Sequence, residues 1–317
     1  MKGSDIRLKE MLKSGQVFAP CVWDCLSARA AELSGFEAVL LAGGPINALM
    51  AGFPDIGLMT ADDLVRQTEF VCDFSSLPVI VDADDGYGET PLTTYRTVKR
   101  LSNAGAAAVT IEDSTGFRGY NRWCKAMASD VANDMPVYHP VVSRRLWLSK
   151  IKAAVEASKE TGCLVIARTE AKFSQGIEEA IERCKLALEI GCDMTLVMGI
   201  DCMADANIIA AQVPGWKMWP DIKSRNQIPD VRLDEIDKLG FNLVTAHIFE
   251  RAMLTKAVEI GLMTIADKNT VYADNMPLPK GWKGQDQKQS FSLPCNAGGD
   301  DPWLRLENEL LNVKVER

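Results

Sequence analysis

Histidine is scarce in this chain: its 317 residues hold two, His139 and His247. The nine cysteines include no CxxC pair and no short Cys/His spacing, which excludes the usual zinc modules and gives no disulfide framework. Reduced thiols are the simpler reading. No run approaches the ~18 apolar residues of a membrane span, and MKGSDIRLKEMLKSG lacks an apolar signal core, so the sequence reads as cytoplasmic. Positive charge is outnumbered, with 35 Lys and Arg against 43 Asp and Glu and a formal charge of −8. That balance argues against nucleic acid or an anionic membrane as partner. A small anionic substrate stays compatible, because a metal ion and an arginine reverse the sign of a site locally.

What is present is an alternation. Short apolar, β-branched runs at 17–20, 38–42, 79–82, 107–112, 164–168, 194–198, 217–219 and 243–246 predict eight strands. Stretches of helical period follow them at 27–34, 60–74, 93–103, 147–161, 177–190, 203–212, 233–239 and 248–260. Thr60, with Asp62 and Asp63 in the first turn, predicts a helix start, and Gly105, Gly162 and Gly191 each follow a helical stretch where a stop is expected. Eight βα units predict an α/β fold, a (β/α)₈ TIM barrel over 1–262 that includes a long insertion at 114–145. The segment 263–317 predicts a C-terminal helical extension and tail, ending in the amphipathic PWLRLENELLNVKV. An open doubly wound sheet is the competitor. It would more often carry a GxGxxG turn after its first strand, where APCVWD stands.

In a barrel, chemistry sits at the carboxyl ends of the strands. The third strand ends in VDADDGYGE and the fourth in Glu112 and Asp113. In an extended segment Asp82 and Asp84 face the same side, and Glu112 arrives from the next strand. Clustered carboxylates repel unless a cation compensates, and a hard divalent ion with oxygen ligands, Mg²⁺ or Mn²⁺, suits them. The competing reading has these acids capping helices or staying solvated. Arg168, after four apolar residues in VIARTE, is costly to bury without an anion. Its guanidinium either clamps a substrate carboxylate or pairs with a barrel acid. Gly43 and Gly44 in LLAGGP let backbone N–H groups approach a ligand oxygen, or form only a turn. Asp55 in GFPDIG is, taken alone, a loop acid. The insertion, rich in Gly, Arg, Trp, Tyr and Pro, suits an active-site lid.

Taken together and in order, VDADDGYGE, the opening PCVWDCLSARAAELSGFEAVLLAGG, GFPDIGLMT, AGAAAVTIED and VIARTEA resemble the isocitrate lyase/phosphoenolpyruvate mutase superfamily over about 20–263. The resemblance implies a Mg²⁺-dependent enzyme, a helix-swapped barrel and a homotetramer, a dimer of swapped pairs. By position it implies that Asp82, Asp84 and Glu112 organise the metal and that Asp55 lies near the reacting group. Substrate would be held by Trp23, Ala42, Gly43, Gly44, Arg118 and Arg168, and Cys124 would be the lid's acid. The chain departs from the family in four places: Asp85 replaces Thr in the metal loop, Ala42 replaces the usual Ser, the lid lacks a KRCGH-like run, and VMGID lacks an evident glutamate.

These features support a carbon–carbon lyase acting on a small 2-hydroxy dicarboxylate or tricarboxylate of the methylisocitrate or alkylmalate type. Arg118, Arg122 and Lys125 leave open a carbon–phosphorus enzyme, a phosphoenolpyruvate mutase or phosphonopyruvate hydrolase. Oxaloacetate decarboxylation is a third reaction for the same residues, and a non-catalytic binding barrel is the reading outside enzymology.

Overall fold

In the computed structural model, residues 4–115, 140–200, 202–220, 224–225, 228–229, 231–268 and 302–311 are described. Eight parallel strands close into a barrel: β1 Val17–Val22, β2 Val39–Leu41, β3 Val79–Asp82, β4 Ala108–Glu112, β5 Leu164–Thr169, β6 Met194–Val197, β7 Trp216–Trp219 and β8 Phe241–Ala246. The chain order is also the spatial order, and β8 pairs with β1 to close the sheet. All eight predicted strands are therefore present, and the open-sheet alternative is excluded.

Period-two alternation sorts the side chains. Ala19, Cys21, Leu40, Ile80, Ala108, Leu164, Ile166, Met194, Leu196, Met218 and Leu243 form one buried cluster inside the barrel. Their strand neighbours Val39, Leu41, Val79, Val81, Val109, Ile111, Val165 and Ala167 pack outward in a second cluster with Leu64, Val98, Leu101, Trp147 and Ile151 of the helices. This is why the strands read as nearly continuous apolar runs: both faces are covered. The alternation continues upward, so Asp82, Thr110, Glu112 and Arg168 stand on the inward side where the strands end.

The helices begin where the capping chemistry permits. Thr60 accepts from the N–H of Asp63, and the Asp63 carboxylate accepts from the N–H of Thr60, a reciprocal cap that opens Ala61–Phe74. Asp24 and Ser27 do the same for Cys25–Ser34, two residues earlier than the periodicity suggests. Arg144–Ser158 also starts earlier than predicted, capped by Ser143.

Sequence periodicity did not single out the helix Ser4–Ser14. Its Leu8 and Leu12, one turn apart and fully buried, join the barrel-interior cluster beside Val17, Ala38 and Ala107. Burial of two leucines contributes roughly 1.5–3 kcal/mol each, enough to dock a helix that is otherwise charged. A two-stranded hairpin, Ser224–Arg225 with Ile228–Pro229, is a further addition.

By internal contacts the chain divides into 1–256 and 257–317. In the first unit Leu254 is exposed; in the second, Val258, Leu262, Ile265, Leu306, Leu310 and Leu311 are exposed on helices Phe249–Asp267 and Pro302–Leu311. No described helix is long and apolar enough to cross a membrane.

Candidate active site

A cavity of about 160 Å³ opens at the carboxyl ends of the strands. That is below the ~300–1,000 Å³ of drug-sized sites and suits a small acid. Its walls differ in character. Gly44, Asp55, Asp82, Thr110 and Arg168 line one part, and Leu196, Met198, Met218 and Pro220, from the ends of β6 and β7, line another. Ala42, Thr245 and His247 complete the rim.

Strand register assembles the polar wall. Asp82 is paired with Thr110, and the Thr110 hydroxyl donates to Asp82 Oδ1 at 2.8 Å. One strand further, Glu112 is paired with Arg168. The Arg168 guanidinium meets three carboxylates. Nη1 lies 3.1 Å from Asp82 Oδ2, Nη2 lies 2.9 Å from Glu112, and Glu170 Oε1 takes Nη2 at 2.6 Å and Nε at 3.1 Å. Burial opposes the charge on Arg168, but Glu112, Asp82 and Glu170 outweigh it and hold its pKa well above the usual arginine value. Burial pushes the Glu170 carboxyl upward, against the pull of Arg168. Arg168 therefore both lines the cavity and is paired with barrel acids.

Asp84 reaches the site by a route the extended-strand argument did not foresee. The strand stops at Asp82, and Asp84 lies in the left-handed region at φ +47. Its carbonyl accepts from the Glu112 N–H at 2.8 Å, which locks the turn to the neighbouring strand. Such a backbone, in a residue only 4% exposed, concentrates at functional sites. Gly86, at φ +89, is required here, because a Cβ would meet Thr94 Oγ1 at 2.6 Å.

Asp82 and Asp84 converge on Gly43. A Cβ built there would stand 3.8 Å from Asp82 Oδ2 and 3.5 Å from Asp84 Oδ1. At Gly44 a Cβ would stand 3.1 Å from Asp55 Oδ2, so a larger residue there would press on the carboxylate. Asp55 is thus brought into the cavity wall rather than left in a surface loop. Gly43 and Gly44 open a short helical turn, Gly43–Pro45, where the first N–H groups have no intrahelical acceptor. The Asn47 side chain donates to the Gly43 carbonyl at 2.8 Å and steadies that turn.

The departure at Asp85 also has a physical reason. Lys150, 3% exposed in its side chain, donates to the Asp85 carbonyl at 2.9 Å and to its carboxylate at 3.3 Å. The carboxylate answers a buried cation from Arg144–Ser158, while its other oxygen accepts from the Tyr87 N–H.

Other sequence-predicted residues fall elsewhere. Trp23 packs in the outer core cluster, donates its N–H to Ser27 Oγ, and is not among the cavity-lining residues. Arg118 and Cys124 lie outside the described residues. His247, which the sequence reading left without a role, lines the cavity, and its Nδ1 lies 2.6 Å from Glu250 Oε1. Its position one residue beyond β8 was the available signal.

Among the described residues no three His, Cys, Asp or Glu form a ready cation cage. Mg²⁺ usually takes only one or two direct carboxylates and fills its octahedron with water, so a closed cage is not required. The donor chemistry fits such an ion. Asp82, Asp84, Glu112 and Glu170 gather carboxylate oxygens around this end of the barrel, three of them on the Arg168 guanidinium.

Comparison with known proteins agrees with this architecture. The model of the phosphoenolpyruvate phosphomutase family matches residues 8–262. A 2-methylisocitrate lyase of Aeropyrum pernix is 31% identical over 83% of this chain and 80% of its own. An oxaloacetate decarboxylase of Rhodopseudomonas palustris is 34% identical over 77% of each chain. The crystal structure of 2,3-dimethylmalate lyase, a PEP mutase/isocitrate lyase superfamily member, superposes with a TM-score of 0.73 at 26% identity, covering 97% of this chain and 99% of that one. The barrel, the acid-rich strand ends and these matches together place the chain in the phosphoenolpyruvate phosphomutase family, within the PEP mutase/isocitrate lyase superfamily.

Proposed function

We propose that this protein is a Mg²⁺-dependent carbon–carbon lyase that cleaves a small 2-hydroxy dicarboxylate or tricarboxylate, of the alkylmalate or methylisocitrate type, to an oxo acid and a carboxylate. The observation that carries the reading is the two-sided cavity: Arg168 and the carboxylates on one wall, Leu196, Met198 and Met218 on another. A substrate with charged ends and an alkyl branch matches both walls. Relatives named 2-methylisocitrate lyase and 2,3-dimethylmalate lyase support it.

In this reading Asp82, Asp84 and Glu112 hold Mg²⁺, partly through water, and the ion supplies Lewis-acid stabilisation of a developing oxyanion. Arg168, which lines the cavity, binds a substrate carboxylate. The N–H groups of Gly43 and Gly44 donate to the oxygen on which charge accumulates, a large catalytic term where water is scarce. Asp55, beside Gly44, is placed to accept the proton of the 2-hydroxyl as the carbon–carbon bond breaks. Cys124 is the proposed donor to the departing carbanion. The 263–317 segment is proposed as the element exchanged between copies in a homotetramer, with its exposed leucines as the packing face.

A second reading is decarboxylation of oxaloacetate. His247 and Glu250 favour it, because an imidazole oriented by a carboxylate at the cavity rim can return a proton to an enolate. The test is a panel of alkylmalates, alkylcitrates, malate, oxaloacetate and phosphonopyruvate incubated with Mg²⁺ and followed by NMR. Oxo acid released from an alkylated 2-hydroxy acid is the expected result. Turnover of oxaloacetate alone selects the second reading, and phosphate release from phosphonopyruvate rejects both.

A further inference from the structure

Two buried charged residues stand behind the cavity wall and touch no part of the cavity. Asp113 follows Glu112 at the end of β4 and is 0% exposed; Arg183 lies on Ile177–Ile190 and is 2% exposed. Together with Thr169 they hold the backbone that carries Glu170. Asp113 accepts from the Glu170 N–H at 2.8 Å and from the Thr169 hydroxyl at 2.6 Å, and the same hydroxyl accepts from the Ala171 N–H at 3.1 Å. Arg183 Nη1 donates to Asp113 at 3.1 Å, its Nε to Glu179 at 2.9 Å, and its Nη2 to the Val142 carbonyl at 3.0 Å.

The same residues join the two ends of the 114–145 insertion. The Val142 N–H donates to the Asp113 carbonyl at 2.8 Å, Ser114 forms an antiparallel bridge with Val141, and the Thr115 N–H donates to Pro140 at 3.1 Å. Arg144, just beyond, pairs with Glu179, which also receives Arg183.

We propose that Asp113, Thr169 and Arg183 are positioning residues that set the orientation of the Arg168–Glu170 pair and register it with the paired stems of the insertion. The inference rests on the reading that Arg168 binds a substrate carboxylate. Glu170 holds the Nε edge of Arg168 and leaves Nη1 toward Asp82 and the cavity. If Glu170 moved, the guanidinium would be drawn to Asp82 and Glu112 alone and its fork would turn. A fully buried ion pair is weakly justified by stability, since well-packed apolar replacements are often neutral or better. What an apolar pair cannot supply is a directed set of hydrogen bonds to Glu170, Thr169 and Val142.

Thr169→Val removes the hydroxyl at nearly constant volume, and Thr169→Ser keeps it. Two readouts apply: calorimetric binding of oxalate with Mg²⁺ present, and kcat and KM for the hydroxy acid that the substrate panel identifies. T169V is expected to bind oxalate about fivefold more weakly, the equivalent of one hydrogen bond. Its kcat is expected to fall about tenfold, because small displacements near reacting groups are costly. T169S should recover most of both. Arg183→Lys keeps the charge but cannot serve three acceptors at once, and should weaken oxalate in the same direction. Melting temperatures that fall in T169V and R183K while oxalate affinity and kcat stay at wild-type values would overturn the proposal. So would a wild-type protein that does not bind oxalate, because Arg168 would then clamp no carboxylate. Failure of the lyase reading looks different: no panel compound is turned over, while oxalate binding still responds to T169V.

Discussion

Replacing Asp85 by Thr would strand a buried cation. Lys150 is 3% exposed and has two acceptors on Asp85, the carboxylate at 3.3 Å and the carbonyl at 2.9 Å. Thr keeps the carbonyl and loses the charge. Coulomb's law at an effective dielectric of about 20 puts the gross attraction near 5 kcal/mol at this separation. Breaking a fully buried pair costs about 3–5 kcal/mol. The Asp85 side chain is 32% exposed, so water relieves part of that. We therefore expect Asp85→Thr to cost about 2 kcal/mol, a drop of roughly 3 °C in melting temperature for a chain of 317 residues. Lys150→Met removes the cation and should cost less. The double variant should recover most of the loss, giving a coupling energy of about 1–3 kcal/mol in a double-mutant cycle. Thermal denaturation of the four proteins under matched metal and salt provides the numbers. A single variant as stable as wild type, or a coupling near zero, would show that Lys150 is content with the carbonyl alone and that Asp85 answers some other demand.

Three further outcomes are expected. Chelation should abolish turnover and Mg²⁺ or Mn²⁺ should restore it, while Asp84→Ala should lower activity by orders of magnitude in a barrel whose circular dichroism is unchanged; full activity in metal-stripped protein would reject the metal site. Arg168→Lys keeps one charge but cannot meet Asp82, Glu112, Glu170 and a substrate together, so kcat/KM should fall by the equivalent of about 1–3 kcal/mol. A lower melting temperature with unchanged kinetics would make that arginine purely structural. Cys124→Ser should still bind oxalate and lose the cleavage step; wild-type kcat in that variant would move the proton donor elsewhere, with His247 next in line.

The barrel was legible because its signal is repeated eight times. Each strand carries inward and outward apolar residues that can be buried only between a closed sheet and a helical layer, and helices such as Cys25–Ser34 and Ile177–Ile190 end on a left-handed glycine. The acids at the ends of β3 and β4 were legible for the same reason: a strand's end and its period-two face are local properties, so Asp82, Glu112 and Arg168 could be assigned to one rim from spacing alone. Gly43 and Gly44 were legible as glycines at a strand end, where backbone N–H groups can approach a ligand, whereas Asp55 was a loop acid until the family resemblance pointed to it.

What only the tertiary structure decided depends on partners distant in sequence. The three carboxylates around Arg168 could be named only once β3, β4 and the turn at Glu170 were brought together. Asp85 was an unexplained exception until Lys150 arrived from a helix 65 residues away. The N-terminal helix buries Leu8 and Leu12, and the barrel interior that receives them exists only once eight strands have closed. Only the folded barrel shows Trp23 packed in the outer core cluster. His247 follows the last strand by one residue, but that it lines the cavity is seen only in the folded barrel. Period and composition are written along the chain, whereas the balance of charge inside a cavity is a sum over residues that the sequence keeps apart.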